Sequence, residues 1–325
     1  MKVSVCMTAY NQEQYVKDAI EGVIYQATNF PYELVIGEDN STDGTLAICE
    51  DYQRRHPKMI RVHHRTHNLG PARNQAETWA SCQGEYVAML DGDDLWCSPL
   101  KLQTQAMFLD RNPAFSMCFT RCGLLSDKPN RHDRWPYRPN LKPVLTTSDI
   151  LRHNLIANCS VMYRRAFAEY PEWVKELPYC DVVLHSLHSL DGPIGYIPAE
   201  MATYRLHEGS HFEAMPFFNR VEYSIELYAA LANHLPQPWS AEAMQMLLMM
   251  RLGLGVKRAK DGVATFRTLP FKYRLTFPLI PLEQLYHLWV IRKQDKPRGM
   301  RAAVDVLMKE HSGSYVPEKR ETRGE

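Results

Sequence analysis

The sequence lacks the features that mark membrane-spanning and secreted proteins. No run of about 18 or more apolar residues occurs in the 325 residues, so no transmembrane helix is predicted. The N-terminal residues enter an apolar strand pattern without a stretch of signal-peptide length, and we therefore expect a cytoplasmic protein. With 45% hydrophobic and 23% charged residues, the composition is that of an ordinary globular protein. A chain of this length predicts one large domain, or one domain with an appendage.

Cysteine and histidine pairs at zinc-binding spacing are also missing. The eight cysteines are mostly isolated within apolar patterns, which favours reduced, buried thiols over disulfides. Cys118 and Cys122 form the one close pair, and no second Cys or His pair accompanies them. A structural zinc site is therefore not expected.

The first part of the chain alternates short apolar runs with amphipathic segments. Strands are predicted at 3–9, 33–37, 60–63 and 86–90, and helices at about 12–26, at a segment ending near 55, and at 72–82. Three strand–helix units followed by another strand predict a parallel sheet with right-handed crossovers. No Gly-x-Gly-x-x-Gly follows the first strand and no Walker A loop occurs, which argues against dinucleotide and P-loop binding.

Three carboxylates follow the strand predicted at 86–90, namely Asp91, Asp93 and Asp94. Gly92 lets the backbone turn directly after the strand. The carboxyl ends of strands in open α/β sheets are where ligands bind, and clustered carboxylates repel one another unless a cation or a donor-rich ligand shares the site. Mg²⁺ or Mn²⁺ together with substrate phosphates would suit such oxygen ligands. A plain Asp/Gly turn is the alternative.

The second part of the chain is less regular. The pattern predicts a helix at 99–111, a strand at 114–120, a mobile loop at 126–143 and a short strand at 159–164. The loop could close over a bound ligand or simply connect its neighbours. Asp181 begins an otherwise apolar helix, a position at which Asp usually acts as a cap. Further helices are predicted at 218–233, 241–260 and 282–292, and the tail at 311–325 is predicted to be disordered.

Four motifs carry a resemblance to a known family. They are Ser-Val-Cys-Met-Thr-Ala-Tyr-Asn (4–11), Gly-Glu-Asp-Asn-Ser-Thr-Asp-Gly-Thr (37–45), Asn-Leu-Gly (68–70) and Leu-Asp-Gly-Asp-Asp-Leu-Trp (90–96). In this order the set resembles family 2 glycosyltransferases, strongly over about 1–125 and moderately over 145–212. The resemblance implies an α/β GT-A fold for nucleotide-diphospho-sugar transfer, a doubly wound, mostly parallel sheet, here followed by a helical C-terminal extension.

The resemblance also assigns residues to the nucleotide-sugar. Tyr10 would contact the base, Asp39 would accept a hydrogen bond from a pyrimidine N–H, and Thr8 would line the same pocket. Asn68 and Arg73 could line it too, although a helix cap and a surface arginine are equally good interpretations. In the second motif, Asn40 replaces the more frequent Gly, which fits if Asn40 adopts the left-handed conformation that Asn tolerates.

The catalytic and metal-binding residues follow from the same comparison. Asp93 would bind a divalent cation, Mn²⁺ or Mg²⁺, and Asp91 would lie near the ribose or the metal. Residues 195–207 resemble the closing Tyr-Arg-x-His strand of the family. His207, at its end, is a candidate third ligand, with an ordinary structural histidine as the alternative. Asp181 falls where the family places its catalytic base, ahead of an apolar helix. Asp94 is assigned no role.

The predicted domains are a GT-A catalytic domain at 1–215, a helical region at 216–310 and the tail. The catalytic domain divides into a nucleotide- and metal-binding half at 1–125 and an acceptor half at 126–215. Residues 1–215 carry 21 Lys+Arg against 26 Asp+Glu, whereas 216–325 carry 17 against 11. The basic, aromatic C-terminal region could contact an anionic membrane surface or pack on the catalytic domain.

The function implied is inverting, metal-dependent transfer of a sugar, with a UDP-sugar favoured, to an acceptor hydroxyl. The expected acceptor is a saccharide or a lipid-linked saccharide in bacterial surface polysaccharide synthesis, and no nucleic-acid partner is expected. A nucleotidyltransferase is the alternative enzyme, although Thr8-Ala-Tyr-Asn-Gln replaces the glycine- and arginine-rich loop that such enzymes carry. A catalytically silent sugar-nucleotide-binding protein is the alternative from another class.

Overall fold

The computed structural model describes residues 1–126, 141–207, 209 and 216–257. The predicted loop at 126–143 therefore lies almost wholly outside the described residues, and the predicted helix at 282–292 and the tail at 311–325 lie wholly outside them. Contacts divide the chain into two compact units, Met1–Met246 and Leu247–Glu325. The sheet and the candidate site belong to the first unit.

One eight-stranded sheet forms the centre of the first unit, in the order β3-β2-β1-β4-β7-β5-β8-β6. The first four strands are parallel neighbours, and β5 runs parallel to β8, whereas β7 is antiparallel to β4 and β5 and β6 is antiparallel to β8. The predicted α/β class with a mostly parallel central sheet is confirmed. The strands are β1 (Val3–Ala9), β2 (Tyr32–Glu38), β3 (Ile60–His64), β4 (Tyr86–Asp91), β5 (Met117–Ser126), β6 (Val144–Leu145), β7 (Val161–Arg164) and β8 (Ile194–Leu206).

The helices of the described part cover the sheet and extend beyond it. In the first half they are α1 (Val16–Ile24), α2 (Thr45–Arg55), α3 (Pro71–Ala80) and α4 (Lys101–Arg111). In the second half they are α5 (Thr147–Arg152), α6 (Glu172–Lys175), α7 (Asp181–His188), α8 (Phe217–His234) and α9 (Trp239–Lys257). No helix within these ranges is long and apolar enough to cross a bilayer.

Two predicted boundaries differ from the structure for identifiable reasons. The first helix starts at Val16 rather than near 12, because residues 13–15 form a turn in which the Gln12 carbonyl accepts from the Tyr15 N–H at 2.9 Å. The N–H groups of Gln12 and Glu13 bond to the side chains of Thr45 and Asp43. The strand predicted at 114–120 runs from Met117 to Ser126, because β5 pairs with β8 along this whole length, across two register shifts.

The core lies on both faces of the parallel strands. Val5 and Leu90 on one face, and Val35 and Met89 on the other, are at most 1% exposed, as expected for strands that are covered on both faces. Because β1 to β4 run parallel, the polar residues that follow each of these strands lie at the same edge of the sheet.

Two residues near that edge have positive φ. Asn40 lies at φ 59°, a positive φ that meets the condition under which Asn can replace the more frequent Gly. Gly70, just before α3, has φ 83° and ψ 161°, a region that only glycine adopts without strain. The loops after β2 and β3 therefore depend on these two residue types.

Helix α8 packs against the second half of the first unit. The Tyr228 hydroxyl donates to the Leu151 carbonyl at 2.6 Å, and the His234 ring stacks on Trp173 with centroids 4.4 Å apart. Glu242 of α9 accepts a hydrogen bond from Arg152 at 3.0 Å. The domain boundary proposed near 215 stays a prediction.

Candidate functional site

The site is built at the carboxyl edge of β1, β2 and β4. Thr8 and Asp91 are register partners on β1 and β4, and the Thr8 hydroxyl donates to Asp91 Oδ1 at 3.0 Å. The Asn158 side-chain amide donates to the other oxygen, Oδ2, at 2.9 Å. Asn158 begins a short 3-10 turn that precedes β7. Both carboxylate oxygens of Asp91 are thus held by side chains, one from β1 and one from the turn before β7.

The electrostatic environment of Asp91 is unfavourable for its charge. Burial, followed by the nearby Asp93 carboxylate, raises the pKa of Asp91 from 3.8 to about 6. The hydrogen bonds from Asn158 and Thr8 oppose this rise, and the charge of Asp181 adds to it. A cation beside these carboxylates would relieve the repulsion. Because the charge of Asp181 acts on Asp91, Asp181 lies near this site.

Asp93 and His207 meet beside Asp91. Asp93 Oδ2 lies 3.0 Å from His207 Nε2, although 114 residues separate them. An antiparallel bridge between Leu95 and Thr203 joins the turn after β4 to the end of β8 and brings the two side chains together. The His207 ring packs against Tyr15 with centroids 4.3 Å apart.

Arg205 fastens the same turn to β8. Its Nε donates to the Asp93 carbonyl at 3.0 Å, and its Nη2 donates to Asp18 of α1 at 3.0 Å. The Arg205 backbone N–H donates to Asp94 Oδ1 at 2.9 Å. Asp94 is 1% exposed, and burial raises the pKa of its carboxyl well above the ordinary value. Asp94 thus ties the turn after β4 to β8.

The donor set at this edge fits a small divalent cation. Asp93 contributes a carboxylate oxygen and His207 an imidazole nitrogen, and Asp91 adds oxygens that keep a lone pair beyond their hydrogen bonds. Among residues 1–126, 141–207 and 216–257, no group of three or more metal-ligating side chains is assembled. Mg²⁺ and Mn²⁺ usually bind through one or two carboxylates plus substrate phosphates, so the remaining ligands would come from a bound diphosphate.

Asp39 organises the neighbouring loop. Its Oδ1 accepts the Leu69 N–H at 2.7 Å, its Oδ2 accepts the Gly70 N–H at 3.0 Å, and Asn68 Oδ1 also accepts from Gly70. Burial raises the pKa of Asp39, and these two backbone N–H groups oppose the rise. Tyr10, at the end of β1, is 44% exposed and presents its ring to solvent. Asp39 thus ties the end of β2 to the loop before α3.

Arg73 forms an ion pair at the surface. Its Nη2 lies 2.7 Å from Glu172 Oε1 on α6. The two groups are partly exposed, which makes this a weak pair energetically. The role predicted for Arg73 in nucleotide binding stays a prediction.

Asp181 is the first residue of α7. Its Oδ2 accepts a hydrogen bond from the Asn154 amide at 3.1 Å. Its Oδ1 is buried and has no hydrogen-bond partner among the residues that the structure describes. Instead of capping its helix, the side chain is held by Asn154 and keeps one oxygen unused.

Asn154, Asn158 and Arg205 were not predicted as site residues. The two asparagines lie four residues apart in a segment without periodic apolar residues, so no pattern distinguishes them from loop residues. Arg205 stands two residues before His207 in the predicted strand, and this spacing places both side chains on one face. This two-residue spacing was the sequence feature from which Arg205 could have been predicted as a site residue.

Two curated relatives match part of the chain. An uncharacterized protein of Mycobacterium bovis is 34% identical over 205 residues, which are 63% of this chain and 59% of the relative. TuaG of Bacillus subtilis, a glycosyltransferase assigned to teichuronic acid biosynthesis, is 34% identical over 164 residues, 50% of this chain and 62% of TuaG. The chain thus spans about three fifths of the length of these relatives.

Two solved structures share the fold. Staphylococcus aureus TarS 1-349 in complex with UDP-GlcNAc aligns with a TM-score of 0.57 and 21% identity, over 84% of this chain and 78% of that one. The mannosyltransferase PcManGT from Pyrobaculum calidifontis, in complex with GDP-Man and Mn²⁺, aligns with a TM-score of 0.58 and 14% identity, over 95% and 88%. At these identities the likeness concerns the fold.

The family assignment comes from a match between the sequence and a family profile. Residues 4–170, about half of the chain, match the profile described as glycosyl transferase family 2. This range contains the four motifs, the Asp91–Asp93 turn and the asparagine that holds Asp91. Together with the GT-A fold of the first unit, the match shows that the chain belongs to family 2 of the glycosyltransferases.

Proposed function

We propose that the protein transfers a sugar from a nucleotide-diphospho-sugar to an acceptor hydroxyl, with inversion at the anomeric carbon. One observation carries the proposal: Asp93 and His207 meet 3.0 Å apart at the carboxyl edge of the sheet, in the site where Asp181 keeps an unpaired carboxylate oxygen. Asp93 and His207 suit the diphosphate of the donor. The unpaired oxygen of Asp181 suits the acceptor hydroxyl.

The donor would occupy the edge formed by β1, β2 and β4. Tyr10 would stack on the base, Asp39 would accept from a pyrimidine N–H with its remaining lone pair, and Asn68, Arg73 and Thr8 would line the same pocket. A UDP-sugar is favoured because of the role assigned to Asp39, and TarS was solved with UDP-GlcNAc. PcManGT was solved with GDP-Man, so the base specificity needs its own test.

The metal-binding residues would be Asp93 and His207, with Asp91 beside them, and the ion would be Mn²⁺ or Mg²⁺. When bound, such an ion supplies positive charge that stabilises the departing diphosphate. Thr8 and Asn158 keep the Asp91 carboxylate oriented toward the ribose or the metal. Tyr15 and Arg205 hold His207 and the turn that carries Asp93 in place.

Asp181 would act as the general base. It takes the proton from the acceptor hydroxyl while the acceptor oxygen attacks the anomeric carbon from the face opposite the leaving diphosphate. One displacement inverts the configuration, so no covalent nucleophile is required. The hydrogen bond from Asn154 to Oδ2 fixes the orientation of this carboxylate.

The acceptor would be a saccharide or a lipid-linked saccharide in bacterial surface polysaccharide or glycoconjugate synthesis. TuaG, which is similar over half of the chain, is assigned to teichuronic acid biosynthesis, and a more distant relative is a poly(ribitol-phosphate) β-glucosyltransferase. Contact with the inner face of a membrane through the basic C-terminal region belongs to the same proposal. Most of that region lies outside the described residues.

The proposal is tested by pairing a donor screen with metal removal. A thermal-shift screen of UDP-, GDP- and dTDP-sugars with Mn²⁺ identifies the donor, because a ligand that binds only the folded state raises the apparent Tm. Release of nucleoside diphosphate from that donor should stop in EDTA and return with added Mn²⁺ or Mg²⁺. Turnover that persists unchanged in the chelator would show that the metal role is wrong.

A further inference from the structure

Helix α7 carries a second polar side chain on the same face as Asp181. His185 follows Asp181 by four residues, and side chains at this spacing are neighbours on a helix. Helical side chains also lean toward the helix N-terminus, so the His185 ring is directed over the turn that begins at Asp181. His185 is fully buried. The family motifs do not include it.

The protonation state of His185 follows from its surroundings. Its Nδ1 is hydrogen-bonded to the Tyr163 hydroxyl on β7. Burial raises the pKa of Tyr163 well above its ordinary value, so this hydroxyl keeps its proton and can donate it to Nδ1. Burial lowers the pKa of His185 to about 4, so the ring is neutral at physiological pH. With Nδ1 accepting, the ring proton resides on Nε2.

Three buried atoms on this face of α7 have no hydrogen-bond partner in the described part of the chain: Nε2 of His185, Oδ1 of Asp181 and, further along the helix, Nδ1 of His188. The first two, a donor and an acceptor, belong to side chains one helical turn apart. The Ile156 carbonyl lies close enough to favour the protonated ring, as does the charge of Asp181, but Nε2 has no hydrogen bond to either. Buried polar atoms are nearly always hydrogen-bonded, and leaving both Nε2 of His185 and Oδ1 of Asp181 without a partner costs free energy of folding.

We propose that His185 is a positioning residue for the base: its Nε2–H donates to an ordered water that in turn donates to Asp181 Oδ1, since the two atoms are not in direct hydrogen-bond contact. The chain Tyr163–His185–Asp181 then fixes Oδ1 while Asn154 holds Oδ2. The remaining lone pairs of the carboxylate are free to accept the proton of the acceptor hydroxyl. His185 itself takes no proton, because it stays neutral as a donor. This inference rests on the proposed role of Asp181 as the base.

The chain offers a matched control in His188. It lies on the same helix and in the same aromatic cluster, is fully buried, and pairs its Nε2 with the Tyr170 hydroxyl at 2.8 Å. Its ring stacks on Tyr163 with centroids 4.2 Å apart. Burial lowers the pKa of His188 to about 3, so it is neutral as well. Replacing His188 removes a buried imidazole from the cluster without removing the donor to Asp181.

The test compares His185→Phe, His185→Gln and His188→Phe in the 325-residue chain. His185→Phe should lower kcat by about 10- to 100-fold, the effect of losing a hydrogen bond to a charged group, while the Kd for UDP with Mn²⁺ and the donor KM stay unchanged. His185→Gln restores an N–H near the position of Nε2 and should recover kcat to within about threefold of the wild type, since the donated hydrogen bond is remade. His188→Phe should retain nearly the full kcat of the wild type, even if its Tm is lower.

Equal losses in His185→Phe and His188→Phe, or no recovery in His185→Gln, would overturn the proposal. If His185→Phe does not fold, His185→Asn takes its place, because its shorter amide can accept from Tyr163 but cannot reach Asp181. The variant Asp181→Asn separates the two claims. If it transfers sugar normally, the base assignment is wrong; if it is inactive while His185→Phe and His188→Phe behave alike, only the role of His185 is wrong.

Discussion

Replacing Asp91 with Asn should make the protein more stable and less active. In the metal-free protein the Asp91 carboxylate is crowded by Asp93 and partly desolvated, so its charge opposes folding. The Asn side chain has the same shape and no charge. The Asn158 amide can rotate so that its oxygen, which lacks a partner in the structure described, accepts from the new amide. The packing around the position can therefore remain as it is.

The size and pH dependence of this effect follow from the pKa of Asp91. Because the folded-state pKa of about 6 lies above the ordinary 3.8, the folded protein binds more protons than the unfolded chain between these values. Wild-type stability therefore falls as pH rises through about 4 to 6, and the penalty is fully present above pH 6. The shift corresponds to about 3 kcal/mol. We expect about 1–2 kcal/mol of it in stability, because Asp91 is only partly buried by surface area and solvent screens its charge.

Thermal unfolding in EDTA, measured from pH 4 to pH 8, tests this reasoning. A domain of this size gains about 2–4 °C in Tm per kcal/mol, so Asp91→Asn should melt about 2–8 °C above the wild type at pH 7.5. The difference should shrink toward zero near pH 4, and sugar transfer should be lost. A variant that is less stable at pH 7.5, or a difference that does not vary with pH, would refute the reasoning.

Two further predictions concern the neighbouring residues. His207→Ala should raise the Mn²⁺ concentration needed for half-maximal transfer by at least about tenfold, because the ion would lose a ligand; an unchanged metal titration would leave His207 as a structural histidine. Gly70→Ala should lower the free energy of unfolding by about 1–3 kcal/mol in urea, because alanine is strained at φ 83° although no atom lies within 4 Å of the added Cβ. Unchanged unfolding in urea would show that the loop relaxes to accept a side chain.

The parallel half of the sheet could be predicted closely from the sequence. Strand β1 has the predicted bounds, β3 and β4 differ by one residue at one end, and β2 differs by one residue at each end, because continuous apolar runs define strands buried on both faces. The place of β7 between β4 and β5, antiparallel to both, could not be predicted. Strand order there depends on pairing between segments far apart in sequence, which no local pattern encodes.

The candidate site, like the sheet, could be predicted only in part from the sequence. Asp93 and His207 were both predicted as ligands from their motifs, and the structure places them together through the Leu95–Thr203 bridge. Asn158 and Asn154, which hold Asp91 and Asp181, lie in a segment without any motif. Their roles depend on tertiary contacts, so only the folded chain identifies them.

The measurement that tests the central claim most directly is sugar transfer by Asp181→Asn. With the donor selected by thermal shift, this variant should bind the donor as the wild type does and lose about 10²–10⁴-fold in kcat, because the acceptor hydroxyl loses its proton acceptor. Asp149→Asn, which removes the carboxylate of the capping box at the start of α5, is the matched control and should keep its kcat. Near-normal transfer by Asp181→Asn would contradict the account.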